Sequence, residues 1–378
     1  MKLIHLSDLH IGKRVNECSM LEDQAYILEQ ILDVIDKEAP DGVMIAGDVY
    51  DKAVPSAEAV QLFDHFLVSL SAGQRKVFII SGNHDSPERL AFGSRIMSAG
   101  GIYLSPVYQG RLEPISLADD HGFVHIYLLP FVKPAHVQRY FPDESCDSYT
   151  AALQLALGQA PLNPMERNVL ITHQFVTGAA ICDSEERAVG GSDQVDGSIF
   201  AAFDYVALGH LHGPQRVGRD TIRYCGTPLK YSLSELTHEK SITVVELGPK
   251  GAVTLRTVPL RPKRDLIALR GSFQELTTQA FSQEHTREDY VHITLTDEED
   301  VFDAVGKLRG LYPNLMSLGY DNQRSRASAQ LSDLLEIETK SPLTLFREFY
   351  EVQNNGQLSE EQEAYLLGLM EEIWEGCL

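Results

Sequence analysis

The sequence predicts an α/β fold: a domain of strands alternating with amphipathic helices over residues 1–262, a small α/β domain over 265–323, a linker over 324–341 and a helical tail over 342–378. Three observations predict it. Five apolar runs of strand length each end in a short loop bearing Asp, Asn or His. Segments of helical period lie between them. After Arg261-Pro262-Lys263-Arg264 the pattern restarts on a smaller scale as strand, helix, strand, helix, strand.

Residues 2–6 form the first apolar run and lead into Ser7-Asp8-Leu9-His10. Leu21, Ala25, Leu28, Ile31, Leu32 and Ile35 then recur at helical spacing, predicting a helix over 21–38. Residues 42–46 lead into Gly47-Asp48-Val49-Tyr50-Asp51, and 77–80 into Gly82-Asn83-His84-Asp85. Residues 168–171 precede Thr172-His173, and 205–208 precede Gly209-His210-Leu211-His212. After Asp204 the pattern becomes short strands with turns, at 223–226, 241–247 and 253–258, which predicts a second sheet packed on the first. The second domain reads as strand 265–271, helix 273–281, strand 290–296, helix 301–309 and strand 315–320. In the tail, an apolar stretch at 342–350 is broken by Asn354-Asn355-Gly356, and an amphipathic helix follows from about 359 to 374.

Asp8, His10, Asp48, Asn83, His173, His210 and His212 are therefore all placed where strands end and loops begin. Open α/β sheets gather ligand-binding groups at that edge, so distant segments share one crevice. Residues at i and i+2 of an extended segment point to one face, which lets Asp8 and His10, or His210 and His212, grip one ion. A carboxylate such as Asp48 can bridge two cations at the roughly 3.5–4 Å separation used by two-metal hydrolases. Asp51 and Asp85 are candidates for orienting the imidazoles, or else for capping turns. The other eight of the thirteen histidines, among them His5 and His125, fall outside any motif and read as surface or core residues.

The motif order D-x-H, G-D-x-x-D, G-N-H-D, H, G-H-x-H resembles that of the calcineurin-like metallophosphoesterase superfamily. The resemblance implies a β-sandwich flanked by helices, with one ion held by Asp8, His10, Asp48 and His212 and a second by Asp48, Asn83, His173 and His210. It implies that His84 stands beside the scissile phosphate, to stabilise charge or protonate the leaving oxygen. The implied reaction is in-line hydrolysis of a phosphoester by water that the cations acidify, without a covalent enzyme intermediate.

Length, at 378 residues, and an apolar fraction of 43% fit an enzyme of more than one domain. The short apolar run before Asp8 is a first strand and not a secretory segment, and no stretch is long enough to span a bilayer, so a cytoplasmic location is expected. Five scattered cysteines argue against a disulfide framework and against a C-x-x-C zinc site. Net charge is −22, but from Asp265 onward there are 8 basic and 22 acidic residues, so most of the excess acid lies away from the motifs. A weakly acidic catalytic domain should not hold a polyanion by charge alone, which points to a basic partner. No G-x-x-x-x-G-K-[ST] loop is present, so any ATP dependence belongs to a partner.

The polar, Gly-broken stretch 179–196, together with 205–212 and Arg223-Tyr224-Cys225-Gly226-Thr227-Pro228-Leu229-Lys230-Tyr231-Ser232, narrows the resemblance to the SbcD family, nuclease subunits of bacterial SbcCD complexes. Arg187, Lys230 and Tyr231 are candidate phosphate or base contacts, or ordinary surface residues. The resemblance implies a manganese-dependent 3′ to 5′ exonuclease on double-stranded ends, and an endonuclease on single strands and hairpins, in DNA recombination, replication and repair. It implies that the small domain caps the site, and that the tail, with Phe346, Phe349, Tyr350 and Trp374, grips an SbcC-like, SMC-type ATPase. It further implies a dimer of nuclease subunits within a heterotetramer. Two other readings stay open: a phosphatase or cyclic-nucleotide phosphodiesterase, since the metal set does not choose the phosphoester, and an inactive scaffold of the same fold.

Overall fold

Leu3, Ile4 and Leu6 are buried on both faces of strand β1 (Lys2–Leu6), the axis of a six-stranded sheet. This computed structural model describes residues 1–323 apart from 17, 74, 106, 186–192 and 279–287, together with 325, 343, 346, 347, 350, 358, 359, 362, 363, 365, 366 and 369. The chain divides into two compact units, Met1–Asp265 and Leu266–Leu378.

In the first unit β1 continues in parallel through β2 (Gly42–Ala46), β3 (Lys76–Ile80) and the edge strand β4 (Ile102–Leu104). A second six-stranded sheet holds β5 (Ile115–Asp119), β6 (Gly122–Leu129), β7 (Arg167–His173), β8 (Tyr205–Gly209), β9 (Gln215–Val217) and β10 (Arg219–Tyr224), in the order β9-β10-β8-β7-β6-β5. Its central strands β6, β7, β8 and β10 are parallel. Strands buried on both sides need apolar residues at consecutive positions, which is why the motif-bearing runs do not alternate.

Side-chain parity then builds the layers. Leu3, Met44, Ala46, Phe78 and Ile80 of the first sheet face Val124, Ile126, Val169, Ile171, Tyr205 and Ala207 of the second, forming the sandwich core. Their neighbours Ile4, Val43, Ile45, Val77 and Ile79 are equally buried and, by alternation, point to the opposite face. Helix α1 (Leu21–Glu38) buries Ile27, Leu28, Ile31 and Ile35, and α2 (Ala57–Ser71), capped by the Ser56 hydroxyl on the Ala59 amide, buries Phe63, Phe66, Leu67 and Leu70. On the second sheet, α3 (Tyr149–Gly158) packs Ala152, Leu153, Ala156 and Leu157 with Tyr127, Leu129, Leu170, Val206 and Leu208.

The expected placement of the strands after Asp204 is corrected in part. Strand β11 (Ser241–Leu247) pairs antiparallel with β1, and β12 (Val253–Pro259) with β11, so both extend the first sheet. The reason is burial: Ile242, Val244, Val245 and Leu247 need two apolar neighbours, which the free edge of β1 and the sandwich core supply. The second sheet instead begins earlier, at β5 and β6.

The second unit contains a three-stranded parallel sheet, β13 (Leu266–Gly271), β14 (Tyr290–Leu295) and β15 (Leu315–Tyr320). Leu269, Leu276, Val291, Ile293, Leu295, Leu308 and Tyr312 form its core, with helix α4 (Ala304–Arg309) and the one-turn helix Phe273–Leu276. The expected helix end at 281 lies outside the described residues, as do most of 324–341 and 342–378, including Phe349 and Trp374. Within the tail, Gln362 donates to the Tyr350 hydroxyl at 3.1 Å and Arg347 pairs with Glu363. No helix among the described residues is long and apolar enough to cross a membrane.

Candidate metal centre

Two sheets reach one crevice because their parallel strands end side by side. Asp8 and His10 follow β1, Asp48 follows β2, and Asn83 and His84 follow β3, while His173 ends β7 and His210 and His212 follow β8. The loops are stitched together by main-chain bonds: the Asp8 amide donates to Gly47 O (3.0 Å), the His10 amide to Asp48 O (2.9 Å), and the His210 amide to Asp8 Oδ1 (3.0 Å).

The backbone is strained here. Asp8, His10, Asp48 and His210 have positive φ, of 53°, 45°, 49° and 104°. They are four of the seven non-glycine residues so placed among the described residues, and such conformations persist only where surroundings over-determine them, typically at functional sites. Motif glycines permit the approach: a Cβ on Gly209 would lie 1.8 Å from Ala46 O, and one on Gly82 would lie 2.1 Å from Asp48 Oδ1.

All seven residues expected as ligands converge in this crevice. On one side His10 Nε2 lies 3.2 Å from His212 Nε2 and 3.7 Å from Asp48 Oδ2. On the other, Asn83 Oδ1 lies 2.9 Å from both His173 Nε2 and His210 Nδ1, and His173 Nε2 is 3.4 Å from Asp48 Oδ2. Asp48 belongs to both groups. Side-chain donor atoms of Asp8, His10 and His212, of Asp8, Asp48 and His173, and of His10, Asp48 and His84 lie close enough to share an ion. Asp8 Oδ2 is buried without a hydrogen-bond partner, as is His10 Nδ1, and a buried carboxylate oxygen left so is costly unless a cation meets it. The mixed oxygen and nitrogen donors therefore fit divalent metals.

Protonation follows from burial. Burial drives His10 well below the ordinary imidazole value and takes His210 down to about 3, so both rings are neutral and present a lone pair. Burial also opposes a charge on His173, but Asp48 and Asp8 outweigh it and push the ring up to about 9. A cation held there would take over the role of that ring proton between Asp8 and Asp48. The His173 Nδ1–H donates to Ala46 O at 2.8 Å, which turns Nε2 towards Asn83 and Asp48.

His84 touches the same cluster from the open side, its side chain 15% exposed and its Nε2 4.0 Å from Asp48 Oδ2. Its amide donates to Asp48 Oδ1 (3.0 Å) and its Nδ1 bonds the Asp51 carbonyl (3.0 Å), so the ring is oriented through main chain. The Asp51 carboxylate takes Lys13 at 2.7 Å and lies 3.9 Å from His10 Nδ1. Among the described residues, Asp85 has no hydrogen bond or ion pair with an imidazole. Its carboxylate accepts the amides of Val49, Tyr50 and Gly82, locking two motif loops in the turn role that was its alternative.

Two suggested DNA contacts have other occupations. Tyr231 is buried, donates to Leu9 O (2.9 Å), accepts from Gln24 Nε2 (3.0 Å) and sets its ring edge-on to His10, so no base can stack on it. Lys230 is paired with Asp265 at 3.0 Å, and Arg187 lies outside the described residues. Sequence reasoning missed Gln24, which also donates to His10 O (2.7 Å), and a polar group behind His212 made of half-buried Ser184 with buried Glu185, Glu235 and Lys240. Single polar residues in separate segments carry no spacing signal.

A family model described as calcineurin-like phosphoesterase matches residues 1–214, and one described as Type 5 capsule protein repressor C-terminal domain matches residues 262–354. The chain is 32% identical over 369 residues to SbcD of the SbcCD nuclease from Staphylococcus epidermidis, covering 96% of each. It is 31% identical over 381 residues to the protein of the same name from Staphylococcus saprophyticus, covering 98% of this chain and 99% of the other. Among solved structures, a dimetal phosphatase from Danio rerio aligns with 69% of this chain and 98% of its own at TM-score 0.39 and 11% identity.

Proposed function

The chain belongs to the calcineurin-like phosphoesterases, in the SbcD branch of SbcCD nucleases, and from that membership we propose that it is a metal-dependent DNA nuclease working with two divalent cations. The observation that carries the proposal is the position of Asp48, shared by two groups of nitrogen and oxygen donors, with His84 at the exposed lip. One cation would be held by Asp8, His10, Asp48 and His212, the other by Asp48, Asn83, His173 and His210. Bound there, divalent cations supply Lewis-acid charge for the phosphate and an acidified water.

The chain's own residues do the rest. His10 and His210, kept neutral by burial, present lone pairs without a charge that would repel a cation. With its Nδ1–H given to the Asp51 carbonyl, His84 turns Nε2 to the open side, where in its imidazolium form it would donate to the phosphate or the leaving oxygen; a positioned acid contributes roughly 10² to 10⁴ in rate.

Manganese is the proposed ion. The proposed activities are 3′ to 5′ exonuclease on double-stranded ends and endonuclease on single strands and hairpins, in recombination, replication and repair. The small domain at 265–323 would cap the site, and the tail at 342–378 would bind an SbcC-like ATPase, with two nuclease subunits in a heterotetramer. Such a partner accounts for the acidic balance of −22, since it would supply the basic surface and the ATP site.

Incubating the purified chain with Mn2+ and a hairpin DNA, and separately with a small phosphomonoester, tests the proposal. Cleavage of the hairpin is expected. Turnover of the monoester alone would leave a phosphatase in its place, and inertness to both substrates, with and without the ATPase, would leave a scaffold.

A further inference from the structure

His212 is held from behind by Ser184, Glu185, Glu235 and Lys240. Its Nδ1 is 2.7 Å from Ser184 Oγ and 3.4 Å from Glu235 Oε1. The Ser184 hydroxyl in turn donates to Glu235 Oε1 at 2.7 Å. Glu235 is wholly buried, and so nearly is Lys240, whose ammonium reaches Glu235 Oε2, Thr227 Oγ1 (2.7 Å) and the His212 carbonyl (2.9 Å), using all three of its protons. The His212 amide donates to Glu185 Oε1 at 2.6 Å.

The proton inventory has one solution. A carboxylate facing an ammonium only accepts, so the single Ser184 hydroxyl proton points at Glu235. Ser184 Oγ must then accept from His212, which places the ring proton on Nδ1. The Nε2 lone pair consequently faces His10 Nε2, 3.2 Å away, and the interior of the cluster.

We infer that Ser184 and Glu235 are positioning residues: a hydroxyl relay from a buried ion pair fixes the tautomer and orientation of His212, and so sets the affinity of one divalent cation. The inference rests on the reading of His212 as a ligand. Partners of this kind are typically worth 10- to 100-fold in metal affinity. Lys240 stands as the counter-charge that lets Glu235 remain buried, because an unpaired carboxylate would be expensive there.

The test is calorimetric titration of Mn2+ into metal-depleted wild type, Ser184→Ala, Ser184→Thr and His212→Asn, with melting temperatures and 15N shifts of the imidazoles recorded metal-free. Ser184→Ala keeps the Glu235–Lys240 pair, so its melting point should move by no more than about 4 °C. One of two binding events should weaken by roughly 10- to 100-fold, Ser184→Thr should restore it, and the wild-type ring should report Nδ1–H. Wild-type binding by Ser184→Ala, where His212→Asn loses one ion, would overturn the relay; so would an Nε2–H ring in the wild type. Two undiminished ions in His212→Asn would instead overturn the assignment of His212 as a ligand.

Discussion

His10 Nε2 and His212 Nε2 face each other across 3.2 Å, although 202 positions separate them in the chain. Two buried lone pairs at that distance repel unless a proton or a cation lies against them. The metal-free protein is therefore expected to melt below the loaded one, and Mn2+ at a hundred times its dissociation constant should add about 2.7 kcal/mol per site. Calorimetry with and without a chelator checks this, and an unchanged melting point would count against a metal centre.

Asp48 Oδ2 lies 3.7 Å from His10 Nε2 and 3.4 Å from His173 Nε2, so replacing this proposed bridge should cost both cations. Asp48→Ala should lose both cations, whereas His210→Asn should lose one and keep the other. Titration stoichiometry reads the difference. Loss of a single ion from Asp48→Ala would remove the bridging role.

His84 is held by main-chain contacts and stands at the lip of the cluster, so His84→Gln separates chemistry from binding. Both cations should remain while hairpin cleavage falls by roughly 10² to 10⁴. A variant that sheds a metal would make His84 a ligand instead.

Legibility in the sequence followed chain spacing. The five motif loops could be read because each is a few residues long and ends an apolar run, and the structure brings Asp8, His10, Asp48, Asn83, His173, His210 and His212 to one crevice. The helix over 21–38 was equally plain from its 3.6-residue period. The runs 241–247 and 253–258 point to a second sheet but join the first, because an apolar run announces a strand without naming its neighbour, and only pairing with β1 decides that. Tyr231 looked like a surface aromatic, yet its hydroxyl has two buried partners from segments over 200 residues away. Glu235 and Lys240, five residues apart, carry no motif or spacing signal, and only the fold reveals a buried pair.

Gly209 marks a place where two sheets touch, since an added Cβ would meet Ala46 O at 1.8 Å and His173 Nδ1 at 2.7 Å. Backbone cannot yield as a flexible side chain does. Gly209→Ala should cost roughly 3 kcal/mol or more, visible as a lower urea midpoint, and should disturb metal binding through His173. A midpoint equal to wild type would show that the strand ends are not so close.

Arg167, buried at the start of β7, donates to Asp119 Oδ2 at 2.9 Å and to Gly122 O at 2.7 Å. That guanidinium holds the Asp119 carboxyl well below the usual range. A group whose pKa falls on folding contributes stability above its unfolded value, near 4, and loses it as pH drops towards the folded value. Asp119→Asn should therefore cost about 1–3 kcal/mol at neutral pH, and the gap from wild type should close below about pH 4. Denaturant titrations across pH check the sign; a gap that widens in acid would reverse it.

Anomalous scattering from crystals grown with Mn2+ would show the bridged pair of cations itself. Two peaks should flank the Asp48 carboxylate, roughly 3.5–4 Å apart, one beside His10 and His212 and one beside Asn83, His173 and His210. A single peak, or ions bound away from Asp48, would contradict a two-metal centre built on that residue.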